Sequence, residues 1–157
     1  MSSENPAELS TNLNYLRHEN IGLDVVIQIG AKTFLAHSTV FIVRSEFFAK
    51  KITPLMQRKK DVVVQLDQKY VSPDVFPDIL DYIYTFELKL TDENAILVCV
   101  AANSLRLEKL YEKTENYLKT NMKVTNVSEC LRMAIKHDLK SLEEKCENFI
   151  FYINGII

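Results

Sequence analysis

Glycine is scarce in this chain, with three in 157 residues. Loops that cradle a phosphate, dinucleotide-binding fingerprints and the turn that presents a nucleophilic serine all place glycines a few residues apart. Gly22 and Gly30, the two glycines nearest to each other, are too far apart for any of these patterns. The sequence therefore predicts that the chain is not an enzyme and that it binds no cofactor.

Cysteine is also scarce, and the number of cysteines is odd. Cys99, Cys130 and Cys146 lie at wide and unequal spacings, which fits neither a disulfide framework nor a set of paired metal ligands. We expect three buried thiols in a protein of a reducing compartment.

No apolar run is long enough to cross a bilayer, and residues 1–20 contain no unbroken apolar stretch of the kind found in signal peptides. The 19 basic and 21 acidic side chains nearly cancel, leaving a formal net charge of -2. No global field therefore draws the chain to nucleic acid or to anionic lipid. We expect a cytoplasmic or nuclear protein whose partners are other proteins, with no nucleic acid and no membrane among them.

Apolar residues make up 47% of the chain, and their spacing predicts the secondary structure. Two β-rich runs, 24–29 and 33–36, flank a glycine that can take a positive φ, which predicts a hairpin. Short helical patterns follow at 37–43 and 46–52, and Pro54 is expected to close the second one.

The apolar, β-branched run 62–66 predicts one more strand of the sheet. Ser72 is expected to cap the next helix, which extends to Tyr84 and is distorted near Pro77. Further helical patterns cover 91–101, 107–118 and a pair of segments within 126–153.

Several short stretches in this order of elements resemble the BTB/POZ domain. The resemblance runs from about Leu9 to Leu118, and it implies an α+β fold with a small sheet flanked by a cluster of helices and followed by a C-terminal helical hairpin. The stretches that carry it are Asp24-Val-Val-Ile, Phe34-Leu-Ala-His, Arg44-Ser-Glu-Phe-Phe, the segment Phe76–Thr85 and Ala101-Ala102.

The resemblance divides the chain into three parts. Residues 1–6 are expected to be disordered, and residues 7–122 to form the BTB/POZ domain. Residues 123–157 are similar to the helical extension that follows this domain in speckle-type and Kelch-like ubiquitin-ligase adaptors, where a BACK region begins.

A first helix is predicted by Leu9, Leu13 and Leu16, which recur on one helical face. Members of the BTB/POZ family commonly form homodimers by packing this helix against the other chain. The resemblance thus implies a dimer interface that includes these leucines, Leu23 and Asp24. The same stripe could also pack inside its own chain, and the sequence leaves both arrangements open.

Cullin-binding members of the family carry a hydrophobic-x-Glu motif before the strand at 62–66. The matching positions here begin with Met56 and end with Arg58, so the apolar residue is kept and the acid is replaced by a cation. Two further departures are Ser38, where a basic residue often follows Ala-His, and Phe86, where a glycine often follows Tyr-Thr. The candidate cullin contact consists of Met56, Arg58, Tyr84 and Phe86.

The leading functional hypothesis is a homodimeric adaptor that links a substrate protein to a cullin-type ubiquitin ligase. The alternative is an oligomerisation scaffold, transcriptional or cytoskeletal, that binds no cullin. A third class, a small hydrolase or zinc enzyme, would have to use His37, His137, Cys130 and Cys146, for which the sequence supplies no complete catalytic or metal-binding pattern.

Overall fold

A computed structural model describes residues 5–59 and 61–155 of the chain, which contain eight helices and three strands. The elements in chain order are α1 (Pro6–His18), β1 (Val25–Ile29), β2 (Lys32–Ala36), α2 (Ser38–Arg44), α3 (Glu46–Gln57), β3 (Val63–Leu66), α4 (Phe76–Thr85), α5 (Ala95–Ser104), α6 (Glu108–Thr120), α7 (Val127–Lys136) and α8 (Lys140–Ile153). The predicted α+β class, with a small sheet and a terminal pair of helices, is confirmed.

The sheet has the strand order β2-β1-β3. β1 pairs with β2 in antiparallel fashion, with Val25 opposite Ala36, and with β3 in parallel fashion, with Ile27 opposite Val64. Gly30 turns the hairpin with a φ of 58°, a conformation that favours glycine. The hairpin and the third strand are thus where the sequence places them.

The chain consists of two compact units. The first comprises the described residues up to Lys89 together with Ser104–Arg106, so it contains the sheet and helices α1 to α4. Its largest fully buried side chains include Ile27, Phe41, Phe48, Phe76 and Tyr84.

The second unit comprises Leu90–Asn103 and the described residues from Leu107 onward. Its core joins residues from α5, α7 and α8, among them Cys99, Val100, Cys130, Leu142 and Cys146. The boundary predicted between residues 122 and 123 falls inside this unit.

The first helix begins earlier than the sequence predicts. The Asn5 side chain accepts a hydrogen bond from the backbone N–H of Ala7 at 3.1 Å, and Pro6 occupies the first turn, where its missing N–H costs nothing. The prediction of a disordered segment 1–6 is therefore wrong for Asn5 and Pro6, and residues 1–4 lie outside the described residues.

Two predicted helix boundaries are also wrong. α3 continues past Pro54 to Gln57, because the turns on either side of the proline hold the helix although Pro54 cannot donate to the carbonyl of Lys50. α4 begins at Phe76 and not near Ser72, which places Pro77 in the first turn, where no distortion is needed.

Candidate interaction surface

Polar contacts hold α1 to α4 within the first unit. The Ser10 hydroxyl donates to the carbonyl of Tyr84, and the guanidinium of Arg17 pairs with Asp81. The same guanidinium lies 5.1 Å from the centre of the Tyr84 ring. The side of α1 that faces its own chain thus carries polar and cationic contacts.

The apolar residues of α1 stay in contact with solvent. No residue of the helix is buried, and 64% of Leu9 and 61% of Tyr15 are exposed. Leu13 and Leu16 are half-buried, as is Leu23 beyond the end of the helix. The leucine stripe predicted from the sequence exists, and its own chain covers it only in part.

A groove of about 380 Å³ runs between α1 and α2. Val43 of α2 lies on it and is 81% exposed, the largest exposed fraction among the large apolar side chains that the structure describes. The lining residues are Pro6, Leu9, Ser10, Leu13, Thr39, Val40, Val43, Arg44 and Tyr84. Leu9, Leu13 and Val43 thus form one apolar surface, which we call the α1–α2 face.

A buried hydrogen-bond network fixes the end of α1 against α4. His37 Nε2 lies 2.8 Å from the carbonyl oxygen of Ile21, which can only accept, so Nε2 carries the proton. Nδ1 then accepts from the Tyr84 hydroxyl at 2.7 Å, and the same hydroxyl accepts from the backbone N–H of His37 at 2.9 Å. Burial raises the pKa of the Tyr84 hydroxyl, which keeps it neutral and able to donate.

Asp24, predicted to lie at the dimer interface, is exposed and caps α2. One of its carboxylate oxygens accepts from the backbone N–H of Ser38 and the other from the Ser38 hydroxyl, each at 2.6 Å. Ser38 stands at the position where the family often has a basic residue. Its backbone N–H and its hydroxyl are the two donors that hold the Asp24 carboxylate at the N-terminus of α2.

Met56 and Arg58 lie on a second exposed part of the first unit. Met56 is 40% exposed in the last turn of α3, and the exposed Arg58 caps the C-terminus of that helix. The first two of the three motif positions, Met56 and Gln57, are therefore helical, and Arg58 follows the end of the helix.

Phe86 ends α4 in the left-handed region, with a φ of 60°. Glycine is favoured in this conformation, because a side chain there meets the backbone. The guanidinium of Arg44 stacks over the Phe86 ring at 3.7 Å, and the ring remains 51% exposed. This stacking compensates the unfavourable backbone and keeps an aromatic ring at the surface.

Tyr84 does not contribute its side chain to this surface. It is 1% exposed and is engaged by His37, so we leave it out of the candidate cullin contact. Periodicity identified its position on the buried face of α4, but only the structure shows the histidine that binds its hydroxyl.

The three cysteines are free thiols and are buried. Within residues 5–59 and 61–155, no three His, Cys, Asp or Glu side chains are grouped so that they could share a metal ion. In the same residues no helix combines the length and the apolar character that a bilayer crossing needs.

A family model of the BTB/POZ domain matches residues 13–122 of the chain. Kelch-like protein 38 of Homo sapiens is 29% identical over 139 residues, which cover 88% of this chain and 24% of that protein. Kelch-like protein 40 of Xenopus tropicalis is 28% identical over 136 residues, which cover 86% of this chain and 22% of the relative. The chain thus spans about a quarter of the length of the curated relatives it matches.

Among solved structures, the BTB domain of zebrafish PATZ1 is similar to the chain, with a TM-score of 0.61 and 28% identity. The similarity covers 73% of this chain and 92% of that one.

Proposed function

The chain belongs to the BTB/POZ family, and on that premise we propose that it is a protein-interaction module that pairs with a second copy of itself through the α1–α2 face. BTB/POZ domains are typically interaction modules and not enzymes. The observation that carries the proposal is that α1 buries none of its residues while polar contacts tie its other side to α4.

The energy available from this face suits a dimer. Full burial of a leucine or valine stabilises by roughly 1.5–3 kcal/mol, and Leu9 and Val43 are mostly exposed. A two-fold interface buries each of them twice, because the same patch faces its copy. The total is on the order of the 4–15 kcal/mol that association costs in lost freedom, and the half-buried leucines add to it.

The test is a pair of matched variants. Leu9→Asp would bury a carboxylate in the interface, so we expect the dimer dissociation constant to rise by roughly a hundredfold or more. Ile135→Asp introduces the same charge at an exposed apolar position of α7 and should leave dimerisation unchanged. Light scattering after size exclusion measures both, and equal behaviour of the two variants would contradict the proposal.

We further propose that the module is an adaptor that links a substrate protein to a cullin-type ubiquitin ligase. The relatives reported above are Kelch-like proteins, and Met56 and Phe86 are exposed apolar side chains suited to docking. The substrate would be bound outside the region that this chain shares with its relatives.

Arg58 favours the alternative, an oligomerisation scaffold for transcription or the cytoskeleton without cullin binding. Other family members have an acid at this contact, and a cation in its place can cost several kcal/mol of binding free energy. Calorimetric titration with the N-terminal repeats of the cullin distinguishes the two functions. Binding at one cullin per subunit supports the adaptor, and no detectable heat from the folded protein supports the scaffold.

Arg58→Glu restores the acid of the family motif, so the adaptor proposal predicts at least about tenfold tighter binding to the cullin repeats. Lys59→Glu makes the same change of charge one residue away and serves as the control. Equal effects of both variants would mean that only the net charge matters and that the motif position is not a contact.

We also propose a cytoplasmic or nuclear location, which three cysteines present as free thiols support. Fluorescence microscopy of the tagged chain tests it, and accumulation in the secretory pathway would contradict it.

A further inference from the structure

The second unit contains all three cysteines of the chain in one buried cluster. Cys99 belongs to α5, Cys130 to α7 and Cys146 to α8. Cys99 and Cys146 are fully buried, whereas Cys130 is 6% exposed. The dimer and cullin surfaces proposed above use none of them.

Two of these thiols contact each other. Cys130 and Cys146 belong to the same buried cluster, and their thiols lie within hydrogen-bonding reach of each other where the second turn of α7 faces the middle of α8. Cys99 makes its hydrogen bond to Thr114 instead. The cluster is therefore a cysteine pair with a third cysteine beside it.

The hydrogen bond makes the two thiols chemically different. The Cys146 thiol donates to Cys130, which lowers the pKa of Cys130 below its usual value. The same bond, together with burial, raises the pKa of Cys146. Cys130 is also the thiol of the pair that keeps some exposure, whereas Cys146 is fully buried, so an oxidant that enters the folded unit meets Cys130 first.

A small cavity leads to Cys130 within the second unit. It has a volume of about 60 Å³, and Cys130 lies on it together with Ile96, Leu118 and the exposed Asp92 and Glu129. A cavity of this size has room for a few water-sized molecules. A small neutral oxidant can therefore reach Cys130 without unfolding of the helix pair.

We propose that Cys130 and Cys146 are a peroxide-sensitive thiol pair that forms a reversible disulfide between α7 and α8. The Cys130 thiolate attacks one oxygen of hydrogen peroxide, the O–O bond breaks, and the products are a sulfenic acid and hydroxide. The Cys146 thiol then attacks the Cys130 sulfur, the S–O bond breaks, and its proton leaves with the oxygen as water. In sum, two thiols and one peroxide give one disulfide and two water molecules.

The cavity also determines the choice of oxidant. Oxidised glutathione is a disulfide of two anionic tripeptides, which is far larger than 60 Å³ and would meet the carboxylates of Asp92 and Glu129 at the rim. Thiol exchange requires direct access to the attacked sulfur. We therefore expect peroxide to oxidise the pair in the folded chain, and oxidised glutathione to do so at least about tenfold more slowly.

Trypsin separates the three cysteines, which makes the test direct. Cleavage after lysine and arginine leaves Cys99 in Leu90–Arg106, Cys130 in Val124–Arg132 and Cys146 in Cys146–Ile157. After peroxide treatment of the folded chain we expect the last two peptides joined, with loss of both free thiols and recovery by dithiothreitol. A crosslink that contains Cys99, an unreacted pair, or equally fast oxidation by glutathione disulfide would overturn the proposal.

Two matched variants test the order of the steps. In Cys146→Ser the sulfenic acid of Cys130 has no resolving thiol, so a dione reagent should trap it on Val124–Arg132. In Cys130→Ser we expect Cys146 to remain a free thiol. Trapping on Cys146 would reverse the assigned roles and overturn the mechanism. If a variant does not fold, peptide mapping of the wild-type chain still tests whether Cys130 and Cys146 form the disulfide. The control is the wild-type chain unfolded in urea, in which we expect Cys99 to form crosslinks as well.

Discussion

Helices α1 and α5 both carry apolar residues, and they use them in opposite ways. α5 buries Ala95, Val98 and the continuous run Cys99–Ala102. α1 buries none of its 13 residues, although three leucines recur on one face. The difference shows that a hydrophobic stripe alone does not say whether its partner lies in the same chain. In α1, polar contacts fix the helix and leave the stripe partly exposed.

The largest expected effect is a loss of stability on replacing a buried leucine with alanine, compared with the same replacement at the exposed α1 stripe. Leu110→Ala removes a fully buried side chain of the second unit and should lower the free energy of unfolding by about 2–5 kcal/mol. Leu9→Ala should lower it by less than about 0.5 kcal/mol when the protein is dilute enough to be monomeric. Urea unfolding measures both. A large loss for Leu9→Ala would mean that the α1 stripe packs within its own chain.

The pH dependence of stability sharpens the comparison, because burial of a thiol moves its pKa away from the ordinary value. Burial raises the pKa of the Cys99 thiol to about 11 from its ordinary 9.0. The unfolded chain therefore ionises at Cys99 first. The stabilisation from this group is complete below pH 9 and declines as pH rises toward 11, by up to about 2–3 kcal/mol.

Cys99→Ala isolates that contribution from the tyrosines that titrate in the same range. Its urea midpoint should fall less steeply between pH 9 and pH 11 than that of the wild-type chain. Parallel slopes for the two proteins would show that the Cys99 thiol does not carry this pH dependence.

The polar attachment of α1 can be weakened at Tyr84. Tyr84→Phe removes the hydroxyl that His37 bonds through both Nδ1 and its backbone N–H, which should cost about 1–3 kcal/mol. Amide exchange in α1 should rise, because the loop that follows it is bonded to His37. Tyr152→Phe, at a 74% exposed site, is the control and should change neither quantity. An unchanged stability in Tyr84→Phe would contradict the role assigned to the network.

The smallest effect concerns Phe86, which combines a left-handed backbone with an exposed ring. Phe86→Ala loses the stacking with Arg44 and keeps the unfavourable φ, whereas Phe86→Gly loses the stacking and relieves the backbone. The glycine variant should therefore be more stable than the alanine variant by about 1 kcal/mol in thermal or urea unfolding. Equal stabilities would mean that the backbone is not strained at this residue.

Most elements of the fold could be predicted because their signals are local. Gly30 between two β-rich runs specifies the hairpin, and periodic apolar residues specify the helices. The boundaries at Pro54 and Ser72 were wrong, because the neighbouring turns and packing decide whether a proline ends a helix or an early serine caps it. Sequence signals of this kind give preferences that the tertiary structure can override.

The candidate surface was only partly predictable. The leucines of α1 were identified from their spacing, whereas Val43 was missed because α2 is apolar nearly all round and its sequence does not show which side packs. Tyr84 was included in the candidate cullin contact, whereas the structure buries it. The histidine that binds this hydroxyl is 47 positions away in the chain, and only the fold brings the two together.

The most direct test of the account is a sedimentation equilibrium experiment on the wild-type chain over a range of concentrations. We expect a mass of twice the 18.1 kDa protomer at micromolar concentration, with dissociation on dilution. A mass of one protomer at every concentration, with the fold intact by circular dichroism, would contradict the claim that a second copy covers α1.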